Sequence, residues 1–365
     1  MTESSSPSSF DPNAAAGAES GIFGLPFTEA ESRVVLLPVP WEVTTSYGGG
    51  TARGPAAILE ASRQVDLFDL DVERPYERGI FMRESSSLVH EWNTEGRSLA
   101  RGIIDAGGEI GSNRELASAL VRVNELSAAL NGWVYEQVRA LLDAGKIVGL
   151  VGGDHSTPFG SIRAHAEKHF SMRSGSSGGF GVLHFDAHSD TRIAYEGFEH
   201  SHASIMHNVL ERIPGVTKLV QVGIRDVCEQ EIDYCRSQGD RVRVYFDRDL
   251  AASRFRGETF EGLANRIVEE LPEMVYVSFD IDGLDPRYCP NTGTTVPGGL
   301  DFSEAVWILK ALVKSGRRIV GFDLNEVSPG ESGEGEWDAN CGARLLYKMI
   351  GLTLASQGEC PLSSI

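Results

Sequence analysis

Gly181-Val182-Leu183-His184-Phe185-Asp186-Ala187-His188-Ser189-Asp190 passes without a break from a short apolar run into a cluster of acids and imidazoles. A run of that length reads as a buried strand, so the titratable groups gather at its C-terminal end. Three further segments share the design: Val148-Gly149-Leu150-Val151 before Gly152-Gly153-Asp154-His155, Val275-Tyr276-Val277-Ser278-Phe279 before Asp280-Ile281-Asp282, and Ile319-Val320-Gly321-Phe322 before Asp323-Leu324-Asn325-Glu326. Burying so many like charges is prohibitive unless cations neutralise them. The chain therefore reads as a metalloenzyme.

Upstream, Arg33-Val34-Val35-Leu36-Leu37-Pro38 reads as a first buried strand, followed by the turn-rich Tyr47-Gly48-Gly49-Gly50-Thr51-Ala52-Arg53-Gly54. Pro55 then suits the first turn of a helix through Ala56, Ile58 and Leu59. The glycine run is not a nucleotide loop, since no Lys-Ser/Thr follows it and its spacing is not G-x-G-x-x-G. Residues 83–112 are polar, contain glycine and show no clear period, so an irregular insertion is expected there. From Asn113, the spacing of Leu116, Leu120, Val123, Leu126, Leu130, Val134, Val138, Leu141 and Leu142 predicts a long helix ending near Gly145. Beyond it, apolar runs at 147–151, 181–185, 219–224, 242–246, 274–279 and 318–322 alternate with amphipathic segments, which predicts an α/β fold around a mostly parallel sheet. Right-handed crossovers bring the C-terminal ends of such strands to one edge, where open α/β sheets bind ligands. The acidic segments all fall on that edge. No internal repeat is visible, and the Ser/Gly-rich stretch 171–179 reads as a loop.

The composition narrows the function. With 365 residues, 41% hydrophobic and 23% charged, the chain is an ordinary globular protein that length alone allows to be one or two domains. A formal charge of -19 argues against nucleic acid and anionic membranes as partners. Five scattered cysteines, Cys228, Cys235, Cys289, Cys341 and Cys360, include no C-x-x-C pair, so neither a disulfide framework nor a thiolate zinc site is suggested and a reducing cytoplasm fits. No apolar stretch approaches the ~20 residues of a membrane span. The first twenty residues, rich in Ser, Ala and Pro, lack a signal peptide's basic start and apolar segment and read as a disordered tail.

In Asp186-Ala187-His188-Ser189-Asp190 the polar side chains alternate, and a continued strand or a turn would gather them. His155 would join from one neighbouring strand end, and Asp280 with Asp282 from another. Two imidazoles and four carboxylates suit Mn²⁺, with Ni²⁺ and Co²⁺ as competitors, better than the sulfur-rich sites of structural zinc. Six donors are too many for one ion with an open position and fit two ions sharing bridging carboxylates. A pair ~3.5–4 Å apart lowers the pKa of a shared water enough to give a nucleophile at neutral pH. A lone Asp-x-Asp at a strand end is commonly a cap or a turn former; the joint pattern is what carries the metal reading. His184, inside its apolar run, reads as a satisfied core residue, and His165 and His169 as lying on the solvated face of a helix.

With these residues in view, the chain resembles the ureohydrolase (arginase/agmatinase) family. The motifs are Gly152-Gly153-Asp154-His155-Ser156, Asp186-Ala187-His188-Ser189-Asp190, Ser278-Phe279-Asp280-Ile281-Asp282-Gly283-Leu284-Asp285-Pro286 and Pro297-Gly298-Gly299-Leu300, within a resemblance running from residue 33 to 350. The resemblance implies a single three-layer α/β/α domain over residues 21–365, assembly into trimers or hexamers, and hydrolysis of a C–N bond of a linear amidine, releasing urea and an amine from a guanidino compound. It also implies that His155, Asp186, Asp190 and Asp280 hold one manganese, and His188, Asp186, Asp280 and Asp282 the other. Glu326 matches the glutamate that pairs with the substrate guanidinium, a planar bidentate partner. His202, in Ser201-His202-Ala203-Ser204, takes the place of the histidine that shuttles protons to the leaving amine; Asp190 can share that relay, and His200 and His207 are rivals for it. Arg225 and Asp226 either border the pocket or form a surface ion pair.

Departures from the family pattern bear on the substrate. Agmatinases commonly carry Gly-Thr-Gly-Thr-Pro-Glu-Pro-Gly-Gly where this chain has Thr292-Gly293-Thr294-Thr295-Val296-Pro297-Gly298-Gly299. Valine cannot meet a cationic tail as glutamate can, which counts against agmatine itself. Ser201-His202-Ala203-Ser204 replaces the usual Ser-His-Gly-Thr, and Trp41 and Trp337 add aromatic surface expected to narrow the pocket. These traits resemble the subgroup containing nickel-dependent guanidine hydrolases, so a small guanidine compound is the second candidate substrate. Formimidoyl-amide hydrolysis on the same fold would release no urea. An inactive partner subunit would typically have lost ligands, whereas all six are present.

Overall fold

Eight apolar runs pair edge to edge in the computed structural model, which describes residues 10–17, 19–169, 179–330 and 336–364. The strands are β1 (Val34–Val39), β2 (Ile80–Met82), β3 (Ile147–Gly152), β4 (Phe180–Phe185), β5 (Val216–Ile224), β6 (Val242–Phe246), β7 (Met274–Asp280) and β8 (Arg318–Asn325). They form one sheet in the order β2-β1-β3-β8-β7-β4-β5-β6, and every pairing is parallel. β1, β3 and β4 are buried at every position, so they read as continuous apolar runs instead of alternating ones. The four strands that end in acidic segments, β3, β8, β7 and β4, are consecutive in the sheet. Their registers pair Val151 with Leu324, Leu324 with Phe279, and Phe279 with Phe185, so all four end at the same level.

Helices cover both faces. On one lie α1 (Gly54–Ser62), α8 (Phe260–Glu269), α9 (Phe302–Lys314) and α10 (Glu336–Ser356), whose Ile58, Leu263, Leu309 and Leu346 pack with Val34 and Leu36 of β1 in one apolar cluster. On the other lie α2 (Ser87–Asp105), α3 (Arg114–Asp143), α4 (Phe159–His169) and α5 (Ile205–Arg212); Val35 and Leu37 meet α2 and α3, while Phe180 and Val182 meet α4 and α5. Alternate β1 residues thus feed opposite layers, as a strand's two-residue period requires, and the architecture is the expected three-layer α/β/α. α6 (Glu229–Ser237) and α7 (Asp247–Phe255) flank β6 at the sheet's edge. Asn113 caps α3 as its spacing predicts, its side chain accepting from Glu115 N and Leu116 N, and Gly145 follows the helix at φ 77°. No helix of the described residues is long and apolar enough to cross a membrane.

Several expectations are corrected. Residues 83–112 are not irregular: they hold the 19-residue α2. Its buried face is Val89, Gly96, Ala100 and Ile103, a stripe too thin in large apolar side chains to show a period. A Cβ at Gly96 would stand 2.8 Å from Val43 Cγ2, so the small residue is what lets this helix sit down. His165 is fully buried, not solvated, because its ring fills the space over Gly321, where a Cβ would lie 2.2 Å from Nε2. His169 is half-buried and stacks on His165. Of the expected tail, residues 1–9 and 18 lie outside the described residues, while Phe10 faces the ring of Tyr76. Most of the expected loop at 171–179 is also outside them.

Candidate metal centre

The turn after β3 sets the first imidazole. Asp154 N donates to Trp41 O at 2.7 Å, and a Cβ on Gly153 would stand 1.9 Å from that oxygen, so only glycine permits this approach. His155 then points its Nδ1 at three carboxylate oxygens: Asp186 Oδ2 at 3.0 Å, Asp280 Oδ2 at 3.3 Å and Asp190 Oδ2 at 3.4 Å. The second imidazole, His188, has its Nδ1 3.1 Å from Asp282 Oδ2 and 3.4 Å from Asp186 Oδ1. Asp186 therefore presents one oxygen to each histidine. Backbone amides hold the carboxylates: His188 N donates to Asp186 Oδ1, Ala187 N to Asp282 Oδ1 and Asp282 N to Asp280 Oδ1.

All six residues singled out from sequence thus meet at one edge of the sheet. Among the described residues, two groups have ligand atoms within 4.8 Å of one another: His155, His184, Asp186 and Asp190, and Asp186, His188 and Asp282. A single imidazole nitrogen carries at most one proton and cannot satisfy three carboxylates; a cation at their focus can. The electrostatics agree. Burial, then the charges of Asp282 and Asp186, hold the Asp280 carboxyl well above the usual range, and burial with the Asp186 charge pushes Asp190 up to about 7. Against the pull of burial, the Asp282 charge pushes His188 up to about 12. A cluster that gathers protons this strongly is a site for positive charge, and its oxygen-rich donor set fits hard or borderline divalent ions.

Beside the cluster opens a cavity of about 180 Å³ lined by Ser46, His188, Asp190, His202, Asp226 and Thr294, among others. His202 enters it from the segment before α5, its backbone N–H donating to Thr44 Oγ1 at 3.2 Å. Burial, with the positive His188 nearby, pushes His202 down to about 4, so its ring is neutral at pH 7. Glu326 follows β8 with its Oε1 accepting from His155 N at 2.9 Å; burial and the Asp154 charge hold its carboxyl well above the usual range. Asp190 and Glu326 have φ of 55° and 62°, two of five left-handed non-glycine residues among those described. Strain of that kind, about 1 kcal/mol or more per residue, concentrates at functional sites. At Asp190 it is held by α5, whose Met206 and His207 amides donate to the Asp190 carbonyl.

Other candidates fall elsewhere. Both ring nitrogens of His200 are engaged, by Asn131 and Arg212, and His207 packs its ring on Tyr234, so neither competes with His202. Arg225 forms no surface ion pair with Asp226; its guanidinium donates to the carbonyls of Asp282, Leu284 and Val296, tying the end of β7 to the 292–299 loop. Asp226 alone reaches the cavity. Trp41 belongs to the apolar core and Trp337 is an exposed α10 residue whose indole N–H donates to Arg287 O, so neither narrows the cavity. Thr44, Tyr195 and Thr294 were missed, since single polar residues in loops carry no periodic signal. A larger cavity of about 530 Å³ between α6 and β6 contains no acid or imidazole.

Known proteins resemble the chain in sequence and in fold. The chain is 33% identical over 325 residues to an N(1)-aminopropylagmatine ureohydrolase of Thermus thermophilus, covering 88% of this chain and 90% of that one. It is 30% identical over 332 residues to an agmatinase of Citrobacter koseri, covering 91% and 90% respectively. The solved proclavaminate amidinohydrolase of Streptomyces clavuligerus superposes with a TM-score of 0.70 at 24% identity, over 94% of this chain and all of that one, which speaks for the fold. Residues 32–351 match the family model that spans the motifs and the strand ends described above, and the chain belongs to the Arginase family.

Proposed function

We propose that the chain is a dinuclear-metal amidinohydrolase that cleaves a guanidino compound to urea and an amine. The observation that carries the reading is Asp186, whose two oxygens face the two imidazoles 3.0 and 3.4 Å away inside a ring of carboxylates. His155, Asp186, Asp190 and Asp280 would hold one ion, and His188, Asp186, Asp280 and Asp282 the other, Mn²⁺ first with Ni²⁺ or Co²⁺ as competitors. Bound there, the ions would supply Lewis-acid polarisation and a water ionised near neutral pH. Glu326 receives the planar guanidinium; its backbone N donates to Gly153 O at 2.7 Å, which keeps its carboxylate beside His155. His202 and Asp190, both at the cavity, carry the proton that the departing amine requires.

The named relatives act on agmatine or its aminopropyl derivative, and an agmatine-like substrate is the first candidate. A second candidate rests on Val296, which stands where agmatinases commonly carry a glutamate and offers no charge to a cationic tail: guanidine itself or a guanidino acid. The cytoplasm and a homo-oligomer, trimer or hexamer, complete the reading; all five cysteines are free. Metal analysis of the purified protein, with a urea-release screen over agmatine, guanidinobutyrate, guanidinopropionate, arginine and free guanidine under Mn²⁺, Ni²⁺ and Co²⁺, tests it. Release of urea from at least one is expected, and an amide substrate consumed without urea would point instead to formimidoyl chemistry. No urea from any pairing would overturn the proposal.

A further inference from the structure

Directly beneath the carboxylates, a row of four polar side chains crosses four adjacent strands: Gln221 on β5 pairs in register with His184 on β4, His184 with Ser278 on β7, and Ser278 with Asp323 on β8. All four are fully buried in the middle of the sheet. Buried polar groups are nearly always hydrogen-bonded; here every side-chain N and O of the row except Asp323 Oδ2 has a partner, and those bonds fix the direction of the protons between them.

The amide of Gln221 can be turned only one way. Its Nε2 lies 2.7 Å from the Ser189 carbonyl, while its Oε1 lies 3.0 Å from the Ser189 hydroxyl. Turning the amide over would set oxygen against oxygen at the shorter distance. The same Nε2 faces His184 Nδ1 at 3.0 Å, so that ring nitrogen must offer its lone pair. The His184 proton is then on Nε2, which donates to Asp186 Oδ2 at 2.8 Å. An N–H has no lone pair for a metal.

At the other end the logic reverses. Asp323 Oδ1 accepts from the Ser278 hydroxyl at 2.9 Å, so Ser278 Oγ has only acceptor capacity left for His155 Nε2, also at 2.9 Å. Ser278 thus keeps a proton on His155 Nε2, and Nδ1, among the three carboxylates, is the nitrogen that would give its lone pair to an ion bound there. We infer that this row sorts two neighbouring imidazoles by tautomer: Ser278 and Asp323 make His155 a ligand, while Gln221 makes His184 a positioning residue that aims Asp186. The inference rests on the dinuclear reading above and goes beyond it, since His184 lies among the potential ligand atoms and its element alone would not exclude it.

The test uses the full chain and Mn²⁺ alone, with calorimetry for affinity and pulsed electron paramagnetic resonance to count the histidine nitrogens coupled to the ions. Wild-type protein should bind two ions with nitrogen from two histidines. His184→Leu and Ser278→Ala should each weaken binding roughly 10- to 100-fold, the usual effect of losing a partner that orients a ligand. In His184→Leu the nitrogen count should stay at two. His184→Gln, which keeps an N–H donor, should recover most of the affinity and guards against a trivial folding defect. A nitrogen lost in His184→Leu would make His184 a ligand and overturn the inference. So would wild-type affinity in both His184→Leu and Ser278→Ala; with two ions still bound by wild type, the dinuclear reading would survive. A wild type that binds no pair of ions overturns both.

Discussion

Asp186→Asn changes one atom and removes the one group that both imidazoles face. Asp186 accepts from His184 Nε2 at 2.8 Å through Oδ2 and from His188 N at 2.6 Å through Oδ1. An asparagine has one oxygen for these two places. Whichever way its amide turns, an NH2 meets either the His184 or the His188 N–H, and one of the two ion positions loses a charged oxygen. A hydrogen bond to a charged group contributes about 1.5–3 kcal/mol, which sets a floor of ~10- to 150-fold on the loss of affinity at that position. Titration calorimetry with Mn²⁺ should show tight stoichiometry falling from two ions to one, and urea release should fall to background. Thermal unfolding supplies an independent check, because metal that binds only the folded state stabilises it in proportion to the logarithm of its affinity. The Mn²⁺-dependent stabilisation, taken as the difference between melts with and without the ion, should shrink by about 1.5–3 kcal/mol. The metal-free protein should itself melt lower, because against burial the imidazoles of His184, His155 and His188 hold the Asp186 carboxyl well below the usual range, and the asparagine leaves one N–H facing its NH2. Two ions bound with wild-type affinity would refute the shared-carboxylate geometry.

His202→Asn should lower kcat ~10²- to 10⁴-fold, the range of a lost general acid or base, with metal content unchanged; loss of metal would instead make His202 a ligand and refute the proton-carrying role. Burial pushes His165 down to about 3, so the folded state keeps it neutral while the unfolded chain takes up a proton below pH 6.5. Its contribution is therefore fully present above pH 6.5 and is lost as pH falls from there toward 3. Between pH 7 and 5, urea denaturation should show wild type losing about 2 kcal/mol more than His165→Leu, and equal losses would contradict the neutral assignment. Arg225→Met strips the donors from the carbonyls of Asp282, Leu284 and Val296; it should cost about 3 kcal/mol or more in stability and weaken binding on the His188 side, as melting and calorimetry would reveal. Gly153→Ala would force a Cβ to within 1.9 Å of Trp41 O, so destabilisation at or above the top of the roughly 1–3 kcal/mol overpacking range is expected in a denaturant titration.

The parallel sheet and the six clustered residues were legible because each rests on a signal that survives without tertiary context. A fully buried strand is a continuous apolar run, and the acids after β3, β4, β7 and β8 interrupt those runs at the same structural level. What was not legible depends on partners. α2 is anchored by Gly96 against Val43 and by the pairing of Arg122 on α3 with Glu95, and neither is visible as a period within the helix. His165 is buried only because Gly321, far along the chain, leaves room for its ring. Trp41 was expected at the pocket because aromatic residues often line one, but its neighbours in the core claim it.

The strand order explains why so many charges can be concentrated without dissolving the fold. β3, β8, β7 and β4 are flanked by β1 on one side and β5 on the other, so the ends that carry His155, Glu326, Asp280 and Asp186 are central and each ladder below them is paired on both sides. The apolar clusters that bury the two faces draw on residues earlier in the same strands, such as Val148 and Leu150 of β3 or Val275 and Val277 of β7. Between those clusters and the carboxylates lies the row from Gln221 to Asp323, polar yet internally satisfied apart from one Asp323 oxygen. Charge is thus confined to the rim, hydrogen bonding to the layer beneath it, and apolar packing to the body of the sheet. In such an arrangement the chemistry at the rim can be altered, by a different ion or a different loop at 292–299, while the packing that forms the strands is left as it is.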